Sequence, residues 1–355
     1  MIKLSRVISL LDQHTNHTLV HSGQNHDYEL NQIFFEDLNI RKPDYFLDCA
    51  KETPSKTIGN LLVKIEDILD EINPDAFLIL GDTNSCFGAL VAKKKKIPIF
   101  HLEAGNRCFD IRVPEEINRK LIDHLSDVNI TYTKLAKDYL IKEGMNPQNI
   151  IKVGSPMKEV LDYYEDDIKK SNILGSLGLT PESYYLLSSH REENIDTKNF
   201  KGFIEILNYL SERSKKCIVS THPRTRKRLE KEKVSFNKNI IFNKPLAFTD
   251  YVKLMQNSKC VLSDSGTLTE EASILSLKSI NLREVHERPE GDEKSVSIFT
   301  GMSLKRVESA LEFIESKSFI PPQILEDYSN KHFSNHVLGL ILSYTDKINT
   351  FSWIK

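Results

Sequence analysis

IPIFHLEAGNR, Ile97 to Arg107, carries an apolar run straight into a histidine, a glutamate and an arginine. Continuing to Lys120, the stretch adds VPEEINRK, so that Glu103, Asp110, Glu115 and Glu116 stand among Arg107, Arg112 and Arg119. Four apolar residues bounded by charge are too short for a helix and read as a buried parallel strand, the kind whose C-terminal end carries ligand chemistry.

The same pattern recurs on both sides. In the first half the expected strands are TLVHS near Leu19, DAFLIL ending at Leu80, IPIF ending at Phe100, DVNITY from Asp127 and NIIKV ending at Val153. Between them lie amphipathic stretches such as Ser55 to Asp70 and Asn84 to Lys95. After the polar segment Tyr164 to Glu182 the alternation restarts with YYLLSSH, CIVSTH, NIIFN, KCVLSDSG and KSINLRE. The pattern predicts an α/β protein of two doubly wound parallel-sheet domains facing a central cleft, with residues 1–160 and 161–333 as the domains. Residues 334–355 are expected to form a helix packing back on the N-terminal domain.

Composition agrees. A chain of 355 residues exceeds one compact core, and 39% hydrophobic with 28% charged residues is ordinary for a globular protein. A formal net charge of -2 gives no electrostatic case for nucleic acid. The run Lys93 to Lys96 suits a helix C-terminus, and the basic stretch from Arg224 suits a solvated face. Cys49, Cys86, Cys108, Cys217 and Cys260 show no C-x-x-C spacing, which argues against a zinc site or a disulfide framework and fits a reducing cytoplasm. No apolar run approaches 18 residues, so membrane insertion is not expected.

Chemistry gathers at the expected strand exits: HSGQN at His21, GDTNS at Gly81, HLEAGNR at His101, HREEN at His190, STHPR at Ser220 and SDSGTLTEE at Ser263. Any one of these is explained by helix capping or a loop salt bridge, and His190 alone could be a strand-end histidine satisfied locally. Together they favour an active cleft. In SDSGTLTEE, the small residues Ser265, Gly266 and Thr267 precede a helix whose free N–H groups can meet an anion, while Glu270 and Glu271 can accept from sugar hydroxyls. A plain N-cap by Asp264 or Ser265 is the alternative. Neither G-x-x-x-x-G-K nor G-x-G-x-x-G follows a strand, so a P-loop or a standard dinucleotide fold is not supported.

GDTNS, HLEAGNR, VPEEINRKLIDHLSD, GSP, HREENI, SDSGTLTEE and HERPEG, in this order, resemble the non-hydrolysing UDP-N-acetylglucosamine 2-epimerases over nearly the whole chain. VPEEINRKLIDHLSDVN, GSPMKEVL, STHPRTRKRLE and REVHERPEG are most similar to the branch that converts UDP-2-acetamido-2,6-dideoxy-L-talose to UDP-N-acetyl-L-fucosamine for capsule and O-antigen synthesis. The resemblance implies a GT-B-like fold, a UDP-linked N-acetylated amino sugar as substrate, no cofactor and no metal, and a cytoplasmic homodimer. It implies elimination of UDP across C1–C2 and re-addition with inverted C2, with Asp82, Glu103 and Glu115 as acid–base carboxylates. His190, also placed among the catalytic residues, and Arg191 fall where the family meets the departing diphosphate. Ser265, Gly266 and Glu271 fall where it holds phosphate and ribose, and Lys3, Arg107 and Arg288 are further expected substrate contacts.

In one respect the chain departs from the family pattern. It opens on an amphipathic helix with Ile2, Leu4, Val7, Ile8 and Leu11 on one face, where the family has a strand and a G-T-R-P-E-type loop. The expectation is a first domain without its central strand, weaker in stability and chemistry. The alternatives are a UDP-N-acetylglucosamine/UDP-N-acetylmannosamine 2-epimerase, a GT-B glycosyltransferase that needs an acceptor, and a non-catalytic remnant.

Overall fold

A computed structural model describes residues 1–23, 32–213, 216–232 and 236–354. The chain forms two compact units, Met1–Val160 with Glu326–Lys355, and Leu161–Leu325.

In the first unit, strands β1 (Val20–His21) and β2 (Tyr45–Phe46) pair in parallel as one sheet. The strands β3 (Phe77–Leu80), β4 (Ile99–Ala104), β5 (Val128–Thr131) and β6 (Ile150–Lys152) form a second parallel sheet in chain order. β3 lies at its edge and is half-buried throughout, whereas β5 is fully buried. The helix Pro54–Ile72 starts where Thr53 accepts from the Lys56 N–H and Pro54 occupies the first turn, and it ends at left-handed Asn73. Its Leu61, Ile65, Ile68 and Leu69 cover one sheet face with Ala89, Ala92 and Ile99. On the other face Val7 and Leu11 of the helix Ser5–His14 meet Phe333, Val337 and Ile348 of the closing stretch, together with Phe100, Leu102 and Ile130. The closing helix, Phe333–Ile348, thus belongs to the first unit. Lys93 and Lys94 lie in the last turn of the helix Gly88–Lys94, with Lys95 capping it.

The second unit is one parallel sheet among the described residues: β7 (Tyr184–Ser188), β8 (Lys216–Ser220), β9 (Ile240–Asn243), β10 (Cys260–Ser263), β11 (Ser279–Asn281) and β12 (Ile298–Phe299). Its order, β12-β11-β10-β7-β8-β9, reverses direction between β7 and β10. Such a switch point leaves a crevice beyond the strand C-termini. Tyr185, Leu187, Val219 and Leu262 alternate into a core completed by Phe203, Ile206, Leu210 and Leu311.

Two expectations need correction. The strand expected to end at Phe100 runs on to Ala104, so His101 and Glu103 belong to β4 rather than to the loop after it. The two-residue strands β2 and β12 were not expected at all. Of the HSGQN exit, Gln24 and Asn25 lie outside the described residues.

Candidate active site

The exits of β3 and β4 are adjacent: Leu80 pairs with Leu102, and the Gly81 N–H donates to the Leu102 carbonyl at 3.0 Å. Asp82 therefore emerges beside Glu103. Glu103 sits on a register shift between Leu102 and Ala104 with φ of 68°, in the left-handed region that only the surrounding structure sustains in a non-glycine residue. Lys3, 9% exposed, donates to its carboxylate at 2.8 Å and lies over the Tyr132 ring.

Asp82 is held from the neighbouring helix, Pro114–Leu125. Arg119 Nε donates to its carboxylate at 2.7 Å and Asn118 donates to its carbonyl at 2.8 Å. Arg119 also donates to Glu116 at 3.0 Å, and Glu116 accepts the N–H groups of Cys108 and Phe109. Glu115 stands half-buried in the first turn of this helix, where the dipole favours a carboxylate. Within the stretch from His101 to Lys120, Asp110 pairs with Arg112 and Glu116 with Arg119, while Glu103 and Arg107 take partners from outside it. Glu116, Arg119 and Asp123, at i, i+3 and i+7, form a buried ionic stripe on a single helix face.

Arg107, expected to meet substrate, is instead enclosed. It donates to Asp123 at 2.7 Å, and through Nε and Nη2 to both oxygens of Glu143 at 2.8 Å, with 1% of the residue exposed. Burial disfavours its charge, but Glu143 and Asp123 outweigh that and raise its pKa. It is a fixed structural cation.

In the second unit the exits of β7 and β10 pair side by side, Ser188 against Ser263. Asp264 follows β10 with none of its surface exposed and accepts from Ser189 Oγ at 2.7 Å, from the Arg191 N–H at 3.0 Å, from the His190 N–H at 3.1 Å and from Asn194 Nδ2 at 3.0 Å. The residue anticipated as a possible cap is therefore the anchor of the HREEN loop. Thr267 takes the N-cap of the helix Leu268–Leu275 without a side-chain capping bond. A Cβ on Gly266 would stand 2.9 Å from a Glu287 oxygen, with Arg191 at 3.5 Å and Arg283 at 3.9 Å, so a larger residue here would push on the Glu287 carboxylate. Glu271 lies in the first turn of that helix and is buried. Arg288 is also buried, donating to Glu270 at 2.7 Å, so its observed partner is a protein carboxylate.

His190 lies 3.4 Å from Asp264 and stacks on His222. Desolvation is the main cause that lowers its pKa below the ordinary imidazole value, aided by Arg191, Arg224 and Arg283 and opposed by Asp264. At neutral pH it is a neutral hydrogen-bonding group rather than a standing cation. The unfolded chain takes this proton at higher pH than the native one, so stability should fall as pH drops from about 6.5 towards the lowered native pKa. The effect is modest because 37% of the side chain remains exposed. Thermal melts from pH 7.5 to 5.5 should show the wild-type midpoint falling more than that of His190→Asn; parallel curves would contradict the sign.

Sequence reasoning missed Arg119, Asp123, His101 and the anchoring role of Asp264. Arg119 and Asp123 were present as charge at helical spacing, which normally reads as a solvated face, whereas His101 and Asp264 stood at strand ends whose inward partners the sequence does not show. Among the described residues no cluster of His, Cys, Asp and Glu is arranged to hold a metal, and no helix is long and apolar enough to cross a membrane.

A family model described as UDP-N-acetylglucosamine 2-epimerase matches residues 10–341. The UDP-N-acetylglucosamine 2-epimerase of Methanocaldococcus jannaschii is 36% identical over 328 residues, covering 89% of this chain and 90% of that protein. A solved structure of the UDP-N-acetylglucosamine 2-epimerase from Rickettsia bellii aligns with a TM-score of 0.90 and 49% identity, over 100% of this chain and 96% of that one. The M. jannaschii enzyme, solved in complex with UDP-GlcNAc and UDP, aligns at 0.88 with 34% identity over 97% and 96%. The UDP-2,3-diacetamido-2,3-dideoxy-D-glucuronate 2-epimerase of Pseudomonas aeruginosa is 34% identical over 79% of this chain and 78% of that protein. The likeness to Acinetobacter baumannii MurG, 12% identical with a TM-score of 0.55 over 96% and 94%, is one of fold alone. With two doubly wound parallel-sheet units of the GT-B-like class and a family match across most of its length, the chain belongs to the UDP-N-acetylglucosamine 2-epimerase family, a family of isomerases.

Proposed function

We propose that the protein inverts C2 of a UDP-linked 2-acetamido sugar by eliminating UDP across C1–C2 and adding it back to the other face. The observation that carries this reading is the pair of adjacent exits bearing Asp82 and Glu103, each carboxylate held by a cation, with Glu115 on the facing helix turn. Inversion requires one group to remove the C2 proton and another to deliver a proton from the opposite side, which a set of separately held carboxylates supplies. A glycosyltransferase has no need of that set.

Departing UDP gains charge on its diphosphate, and Arg191 and the hydrogen-bonding His190 meet that charge, with Ser265, Gly266 and Glu271 holding phosphate and ribose. Replacing Arg191 by Ala should weaken UDP binding by roughly 1–3 kcal/mol, the scale of a lost charged hydrogen bond. Calorimetric titration with UDP checks this, and unchanged affinity would remove Arg191 from the nucleotide site. Lys3 orients Glu103, Arg107 acts through Asp123, and Arg288, held on one side by Glu270, is a further substrate contact.

Two sugar pairs are open to the same chemistry. Motifs such as GSPMKEVL and REVHERPEG support UDP-2-acetamido-2,6-dideoxy-L-talose and UDP-N-acetyl-L-fucosamine, with a role in capsule or O-antigen synthesis. The similarity to M. jannaschii and R. bellii proteins named as UDP-N-acetylglucosamine 2-epimerases supports UDP-N-acetylglucosamine and UDP-N-acetylmannosamine. Turnover measured on both pairs assigns the substrate. A cytoplasmic homodimer completes the proposal, supported by the exposed apolar Ile117 and Leu121 on one helix face.

A further inference from the structure

We infer that Asp123 is a positioning residue for Glu103, acting through the backbone bulge that carries it; this rests on the reading of Glu103 as an acid–base group. Asp123 is fully buried, in the helix Pro114–Leu125. Its Oδ1 accepts from His101 Nδ1 at 2.9 Å and its Oδ2 from Arg107 Nη1 at 2.7 Å, while both oxygens lie 3.2 Å from the Gly105 nitrogen and share its N–H. Every side-chain bond this carboxylate makes among the described residues goes to a position between 101 and 107. Glu103 stands in the middle of that span.

The local backbone explains why such a grip is needed. Glu103 and Gly105 both have positive φ, 68° and 79°, and β4 shifts register at the same place. A side chain on Gly105 would run into the Ala136 carbonyl, so the chain lies pressed against its neighbour at the turn. Left to itself, a glutamate relaxes out of this conformation, and its carboxylate moves away from Lys3. Asp123 fixes the chain two residues before Glu103, two after it and four after it.

His101 also lies against the neighbouring strand, its Nε2 3.2 Å from the Gly81 carbonyl. Arg107 is in turn clamped by Glu143 from the side away from Asp123. One buried carboxylate therefore holds the backbone on both sides of Glu103. The side-chain bonds of Asp123 thus gather around one strained residue.

Steady-state kinetics of Glu103→Gln, Asp123→Asn and the double variant test this, on whichever UDP-sugar pair the wild type turns over. The Asp123→Asn change keeps the side chain's shape but presents an NH2 to donors. It should lower kcat by about 10- to 100-fold, the scale of misplacing a reacting group, with KM changed by less than about threefold. The double variant should be no slower than Glu103→Gln within about threefold, because Asp123 acts only through Glu103. Losses that multiply, or wild-type kcat in Asp123→Asn, overturn the inference. Wild-type turnover in Glu103→Gln sinks the reading of Glu103 and the inference with it, and that single variant tells this failure apart from the other. Should Asp123→Asn not fold, His101→Ala and His101→Asn replace it. Of these two, His101→Asn keeps an N–H where Nδ1 stands and should retain turnover that His101→Ala loses, and equal losses in both overturn the inference.

Discussion

Glu103→Gln is expected to cut turnover by about 10²-fold or more while leaving UDP affinity within about twofold, the scale of a removed general acid or base. Glutamine keeps the volume and can still accept from Lys3, so the strained bulge and its Asp123 anchor persist. What disappears is the capacity to take up and return a proton. The residue belongs to the first unit, whereas the groups proposed to hold UDP, Arg191, Ser265, Gly266 and Glu271, belong to the second. Turnover and calorimetric UDP affinity therefore report on separate sets of residues. Equal losses in both would mean that Glu103 supports the nucleotide rather than the chemistry.

Asp264→Ala should be the most damaging single change in the second unit, at about 3–5 kcal/mol, the scale of removing one member of a buried charged network. Four donors, Ser189 Oγ, the His190 and Arg191 N–H groups and Asn194 Nδ2, converge on this carboxylate. Burial alone would raise its pKa, but His190, Ser189, Asn194 and the Arg191 N–H together hold it below the usual carboxylate range. Its contribution is therefore present above the unfolded-state pKa and lost as pH falls through the lowered native one. A urea titration monitored on the second unit should show an earlier midpoint together with weaker UDP binding, because the loop carrying Arg191 loses its anchor. An unchanged midpoint would contradict the network's importance.

Much of the fold was legible because parallel strands buried on both faces leave uninterrupted apolar runs, as in YYLLS and CVLS. The two-residue strands β2 and β12 carry no such run. Tyr45–Phe46 went unread, and its Phe46 is 54% exposed. The end of β4 was misread because a histidine and a glutamate inside a strand look like the loop beyond it. His101 is accommodated there by Asp123, twenty-two positions away in sequence. The strand exits bearing Asp82, Glu103, His190 and Asp264 were visible as charge following apolar runs. Which charges face inward was not visible. Arg107 and Arg288 looked like substrate ligands, whereas the fold hands them Asp123 and Glu270 as partners. Only tertiary proximity shows which carboxylate each arginine meets.

Proton exchange at C2 bears most directly on the proposed chemistry. The protein is incubated in deuterated water with each UDP-sugar pair in turn, and the recovered sugar is read by NMR and mass spectrometry. Deuterium should appear at C2 with one of the pairs, alongside the inverted epimer, and should fall by about 10²-fold in Glu103→Gln. Inversion without deuterium at C2, or a folded, UDP-binding protein that exchanges neither pair, would contradict elimination and re-addition.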